Sequence, residues 1–289
     1  MNERVCEGED RNVRVFGHDG YTLEDKVAAL HQAGFSACQL GCWKPALFTD
    51  ENAAAIRQLM KAYGVEISAF WCGWKGPCTW NFYEGQLTLG LVPPEYRVMR
   101  IQNLCDGADF AKKLGVTDVA THMGFIPENP YDPYFPGFCV AVRQVAEHLK
   151  TNGQYLLFET GQETPVTMLR CFEQVGVDNL RIDLDTANLI LYGKADPVDA
   201  LSVFGKYVRN IHAKDGRYPT NGHDLGEETP IGEGMVDFRA FFEKLHELGY
   251  DRYVTIEREI SGEQQQKDIL ASREYLRRLI EDIYGEPCT

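Results

Sequence analysis

A single-domain α/β protein, a (β/α)8 TIM barrel, is the fold class this 289-residue sequence predicts. Three observations carry the prediction. Short apolar strands alternate with amphipathic helices along nearly the whole chain, a glycine follows most of the helices, and polar, ligand-type residues recur at the ends of four successive strands. Eight strands alternating with eight helices need roughly 250 residues to close a barrel. The one domain is expected to span 1–289, with its core at 12–284. A doubly wound open sheet is the rival, and it leaves the repeated strand-end chemistry unexplained.

The strands expected in order are Val13–Phe16, Ala37–Leu40, Ile67–Trp71, Val119–His122, Tyr155–Phe158, Leu180–Leu184, Val208–Ile211 and Tyr253–Ile256. The apolar run of the fifth reads as a strand buried on both faces, as parallel sheets require. Helices are expected at 22–33, 50–63, 94–114, 138–151, 164–175, 197–205, 237–248 and 263–283, where apolar residues recur at three- and four-residue spacing. Thr22, Thr49–Asp50, Thr164–Pro165, Asp196–Pro197 and Asp237 are N-cap or N1 residues by type. Gly34, Gly64, Gly115, Gly153, Gly176, Gly205 and Gly249 stand where a left-handed residue closes a helix before the next strand.

Three strand-to-helix links are long: Cys72–Pro93, Met123–Gly137 and Ala213–Val236. In a parallel barrel such links emerge at the C-terminal rim, where active sites lie. The first two are rich in aromatics (Trp74, Trp80, Phe82, Tyr83, then Phe125, Tyr131, Tyr134, Phe135) and read as walls over a small-molecule pocket or as an oligomer contact. A homo-oligomer, dimer or tetramer, is the expected assembly.

The fifth to eighth strands deliver Glu159, Asp185, His212 and Glu257 at equivalent positions. Singly, each is more often a cap, a surface carboxylate or a hydrogen-bonded core residue. On a closed barrel the four ends converge on one side of the mouth, and the set is hard, oxygen-rich and suited to one divalent cation. Trp71 and His122 end the third and fourth strands and should face the same mouth, where they are candidates to touch substrate. Gln39 and Phe16 end earlier strands and offer a wall. Lys214, Asp215 and Arg217 follow His212, and an arginine there suits a hydroxyl, carboxylate or phosphate. His223 reads as solvated, and His31, His148 and His246 as uninvolved helical residues. The Gly232-x-Gly234 pair lacks the lysine and spacing of a phosphate loop, so it reads as a turn feeding the Asp237 cap.

Bulk properties exclude several classes. A formal net charge of −14 opposes binding to a polyanion, so no nucleic-acid partner is expected. No run of about 18 apolar residues occurs, so no membrane span is expected. Met1–Asn12 lacks the apolar core of a signal peptide, and the nine cysteines form no CxxC pair. A cytoplasmic protein with reduced thiols is the expectation, with Cys72 the thiol best placed to face the pocket.

The strand-end set, together with Asp185-Thr-Ala-Asn188, His212-Ala-Lys-Asp215 and Pro230-Ile-Gly-Glu-Gly-Met-Val-Asp-Phe238, resembles the sugar phosphate isomerase/epimerase family. This is the xylose-isomerase-like TIM barrel group that includes tagatose/psicose 3-epimerases and inosose dehydratases. The resemblance covers 12–284. It implies one Mn²⁺ ion, with Mg²⁺ or Co²⁺ as alternatives, held by the four side chains, and it implies that Glu159 and Glu257 double as the proton-transfer pair. Arg217 falls where the epimerases carry a substrate-contacting arginine. Asn188 stands where they carry a substrate-binding histidine, and Glu163 is the counterpart of their second glutamate at a different spacing.

The chemistry follows from the residues as well. A divalent ion chelated by a ketone and the adjacent hydroxyl stabilises the enediolate formed when the neighbouring C–H loses its proton. Carboxylates on the two faces of that planar species can remove a proton from one side and return it on the other. The sequence therefore predicts a metal-dependent ketose epimerase or isomerase acting on a small carbohydrate. The alternative is a lyase or dehydratase on a related keto-sugar or inosose, including 3-keto-glycoside elimination. Apurinic endonucleases share the barrel but need more metal ligands and a basic face, and a metal-free binding subunit would not need the complete ligand set.

Overall fold

The computed structural model describes residues 3–4 and 21–285. In chain order the strands are β1 (Glu3–Arg4), β2 (Ala37–Cys42), β3 (Glu66–Cys72), β4 (Asp118–Thr121), β5 (Tyr155–Glu159), β6 (Leu180–Asp185) and β7 (Val208–Ala213). A small antiparallel hairpin of β8 (Asp215–Gly216) and β9 (Glu228–Thr229) follows, and β10 (Val254–Ile256) ends the series. The ladder β1-β2-β3-β4-β5-β6-β7-β10 is parallel throughout, a nearly closed TIM barrel. The Val13–Phe16 strand and the Phe16 wall expected from sequence lie outside the described residues.

The helices are α1 (Leu23–Gln32), α2 (Asp50–Tyr63), the single turn α3 (Gly85–Thr88), α4 (Pro94–Leu114), α5 (Phe135–Thr151), α6 (Pro165–Val175), the short buried α7 (Thr186–Leu191), α8 (Pro197–Phe204), α9 (Phe238–Glu247) and α10 (Glu263–Tyr284). Start signals act as their chemistry dictates. Thr22 and Asp25 form a reciprocal capping box, and Thr49, Thr164, Asp196 and Asp237 each accept backbone N–H bonds, worth about 1 kcal/mol apiece. Six of the seven helix-closing glycines take positive φ. Gly205 is the exception. It sits at φ −52° and opens a 3₁₀ turn, and a Cβ there would lie 2.6 Å from Leu248 Cδ1. The Leu248 side chain is exposed and its end can give way, so neither backbone handedness nor packing demands glycine at that position. Among the described residues no helix is long and apolar enough to cross a membrane.

The main core lies between sheet and helices, and a smaller cluster of Trp71, Trp74, Leu89, Ala120 and Leu157 plugs the mouth side of the barrel. The first two long loops are ordered by contacts to each other and to α4. Leu91 N donates to Met123 O at 3.0 Å, and a Cβ on Gly90 would stand 1.9 Å from the Met123 carbonyl carbon. Fully buried Arg100 of α4 donates to Gly90 O (2.6 Å), Pro77 O (2.8 Å) and Lys75 O (3.3 Å). Those bonds fix the loop that carries Trp80 over the mouth.

Candidate metal centre and its cavity

Parallel pairing sets the site. β6 and β7 are in register at Asp185 and His212, while β5 meets β6 at Glu159 and Asp183. Glu159, Asp185 and His212 stand on adjacent strands, and Glu257 follows β10 on the other side of β7. One ligand atom from each of the four lies within 4.8 Å of the others, and all four side chains are buried. His212 Nδ1 is 2.8 Å from Glu257 Oε2, 3.1 Å from Glu159 Oε1 and 3.9 Å from Asp185 Oδ2.

These residues fit a cation. One imidazole nitrogen can donate a single hydrogen bond, yet three buried carboxylates converge on it. Asp185 Oδ1 is occupied by Asn188 N at 2.7 Å, which caps α7, whereas Asp185 Oδ2 has no hydrogen-bond partner. Burial of several like charges is costly unless a positive charge sits among them. Burial pushes the Asp185 carboxyl well above the usual range. Burial opposes ionisation of Glu159 as well, but His122 and His212 bring it below its ordinary value. His212 is driven well up despite its burial, by Asp183, Glu257 and Glu159. A buried Glu/Asp/His/Glu set of this kind could hold one metal ion.

A cavity of about 370 Å³ opens over the cluster and is lined by Glu159 and Glu257 of the four. Trp71, Trp80 and His122 form one wall, with the Trp80 and His122 rings 5.0 Å apart. Both Trp71 and His122 also serve Glu159. Trp71 Nε1 donates to Glu159 Oε2, and His122 Nε2 lies 3.3 Å from the same oxygen. Lys214 lines the cavity although its side chain is almost fully enclosed. Its Nζ is 3.0 Å from Glu259, 3.7 Å from Asp185 and 3.8 Å from Glu257. Burial would discharge this amine, but Glu257, Glu259 and Asp185 raise it well above its ordinary value.

Of the residues expected to meet substrate, Trp71, His122 and Asn188 reach the cavity wall. Arg217 does not. It is exposed, and its guanidinium donates to Glu233 O at 3.1 Å. Gln39 reaches across the barrel interior to Asp183 rather than forming a wall, and Cys72 turns outward toward Asn103 O of α4. Asp215 is buried by its own loop. Its carboxylate accepts from Gly216 N (2.8 Å), Gly232 N and Gly234 N (both 2.9 Å) and Val236 N (3.1 Å). The Gly232-x-Gly234 turn thus wraps an internal carboxylate.

Glu163 is buried outside the cavity wall, and burial pushes its carboxyl up to about 8. The sign is definite. Between the unfolded value near 4.5 and about 8, the native state holds a proton that the unfolded chain has lost, so stability falls as pH rises through that window. The slope from this one group approaches about 1.4 kcal/mol per pH unit. Glu163→Gln should remove that slope and be the more stable protein at pH 8.5, as measured by urea unfolding at pH 6 and pH 8.5. Parallel pH responses of the two proteins would show that Glu163 does not titrate there.

Comparison with known proteins agrees with this architecture. The family model described as xylose isomerase-like TIM barrel matches residues 27–279. A xylose isomerase domain protein from Planctomyces limnophilus is 32% identical, with a TM-score of 0.87 over 94% of this chain and 97% of that one. A D-tagatose 3-epimerase-like protein shares the fold at 21% identity and a TM-score of 0.70, covering 90% of this chain and 93% of its own. An inosose dehydratase of Serratia proteamaculans is 22% identical over 264 residues, 82% of this chain and 83% of that protein. On the family match, which takes in all four clustered side chains, this chain belongs to the xylose isomerase-like TIM barrel family.

Proposed function

We propose that the protein is a divalent-metal-dependent epimerase or isomerase of an uncharged keto-sugar or keto-polyol. The observation that carries this reading is the convergence of Glu159 and Glu257 on His212 Nδ1, at 3.1 and 2.8 Å, in the lining of one cavity. Glu159, Asp185, His212 and Glu257 would hold the ion, Mn²⁺ being the best match and Mg²⁺ or Co²⁺ alternatives. When bound, it supplies Lewis-acid stabilisation of the oxyanion that develops next to the cleaved C–H bond.

The chain's own residues do the remaining work. One glutamate takes the proton from the carbon beside the carbonyl, leaving an enediolate. The other returns a proton to the opposite face, so the net change is inversion with no atoms lost. Trp71 and His122 fix the carboxylate of Glu159, and Trp80 offers an aromatic face for the sugar's C–H patch. Asn188 supplies a donor and an acceptor for a hydroxyl. An uncharged substrate is supported by two features. Two of the three lysine and arginine side chains lining the cavity, Lys214 and Arg258 (the third is Lys26), are already matched with Glu259 and with Glu228 and Asp268, and the glycine turn beyond β7 encloses Asp215.

One observation favours a lyase as the second reading. The Lys214–Glu259 pair beside the proton-transfer glutamates could assist departure of a β-hydroxyl, and an inosose dehydratase is among the relatives. Turnover of free ketoses and inososes in D₂O by Mn²⁺-loaded protein tests both. Epimerisation should give a product carrying one deuterium at the carbon next to the carbonyl. Dehydration should give a product lighter by one water. Product free of solvent deuterium would remove the two-glutamate mechanism.

A further inference from the structure

The barrel holds a second polar layer beneath the four converging side chains. Side chains two apart on a strand share a face, so Asp183 stands one step below Asp185 on β6, and Asn210 one step below His212 on β7. Both are essentially fully buried. Gln39 reaches across from β2 and donates Nε2–H to Asp183 Oδ2 at 2.9 Å, while Asn210 donates Nδ2–H to Asp183 Oδ1 at 2.8 Å. The Asp183 carboxylate is therefore clamped at both oxygens by two amides that belong to other strands. The remaining approach to Oδ2 is made by His212, whose Nε2 lies 3.1 Å away, a close contact short of hydrogen-bond alignment, and among the described residues no oxygen is aligned to bond that nitrogen.

We propose that Asp183, held by Gln39 and Asn210, is a positioning residue that keeps the His212 proton on Nε2 and so leaves Nδ1 as the atom offered to a metal. A neutral imidazole carries one N–H and one lone pair, and the partner of one nitrogen sets the role of the other. A buried acceptor that cannot turn away selects Nε2–H. The lone pair of Nδ1 is then directed at the point shared by Glu159, Asp185 and Glu257. The inference rests on metal binding by those four residues and adds a residue that touches neither metal nor substrate.

Asp183→Asn tests it, because the amide is nearly isosteric and can turn its NH₂ toward Nε2, forcing the proton to Nδ1. The Mn²⁺ dissociation constant, measured by competition with a chelating dye, should rise about 10–100-fold. The NH₂ at the Oδ2 position also faces the Gln39 donor, so the metal-free variant should unfold at a lower midpoint, and the Co²⁺-loaded variant should show an altered visible spectrum. Histidine ¹⁵N spectra of the wild-type protein loaded with Mg²⁺ supply a reading that needs no variant, and should show His212 protonated at Nε2. Wild-type His212 protonated at Nδ1 instead would overturn the proposal, as would unchanged Mn²⁺ affinity in a folded Asp183→Asn protein. Wild-type protein that binds no Mn²⁺ at all would overturn both this inference and the metal reading beneath it.

Discussion

Asp185→Ala and His212→Ala should each abolish Mn²⁺-dependent stabilisation and lower turnover by at least about 10²–10³-fold, the scale of losing one oxyanion-stabilising element. At an ion concentration 100 times the dissociation constant, wild-type protein should gain about 2.7 kcal/mol in unfolding free energy, and the variants should gain almost none. The metal-free proteins need not be crippled. Asp185→Ala gives up the cap on Asn188 N, about 1 kcal/mol, but it also removes a buried carboxyl whose Oδ2 has no hydrogen-bond partner. His212→Ala is harsher, because it exposes Asp183, Glu159 and Glu257 to one another without the imidazole between them. Thermal unfolding with and without Mn²⁺ separates the two effects. Equal Mn²⁺ stabilisation in wild type and Asp185→Ala would dismiss Asp185 as a ligand.

Much of this site was legible because a parallel barrel converts sequence into geometry simply. A strand followed by a loop places its last residue at the mouth, so Glu159, Asp185, His212 and Glu257 could be expected together from four strand ends alone. Helix limits were legible for a similar reason, since Thr22, Thr49, Thr164, Asp196 and Asp237 act through bonds within three residues of themselves. What escaped depends on tertiary distance. Alternation in a strand gives the face of a side chain but not what waits across the barrel, and so Gln39 reads as a wall from sequence although its partner Asp183 lies 144 residues away. The Asp183-x-Asp185 and Asn210-x-His212 spacing was the available signal for that lower layer. Loop side chains are harder still. Arg217 and Lys214 are three residues apart, yet the β8–β9 hairpin turns Arg217 to the surface while Lys214 stays in the cavity. Nor did sequence show that α7 starts at the residue after Asp185, making that carboxylate a cap as well as a ligand candidate.

Glu257→Gln should stop turnover almost completely while leaving a diagnostic remnant. General acid–base groups contribute about 10²–10⁴-fold, and a glutamine can neither take nor return the proton on its face of the enediolate. The two glutamates are not held alike. Glu159 is braced by Trp71 and His122, whereas Glu257 lies between His212 Nδ1 at 2.8 Å and Lys214 Nζ at 3.8 Å. Losing the Glu257 charge therefore leaves the Glu159 face intact, and that face should still exchange substrate hydrogen for solvent deuterium slowly without forming the inverted product. Glutamine is also a weaker, neutral ligand, so metal content has to be measured beside the kinetics. A variant that retains its ion, has lost epimerisation and still washes deuterium into unreacted substrate is the expected result. Exchange and inversion lost together at full metal occupancy would make Glu257 the sole base and remove Glu159 from proton transfer. Normal inversion in Glu257→Gln would remove Glu257 instead.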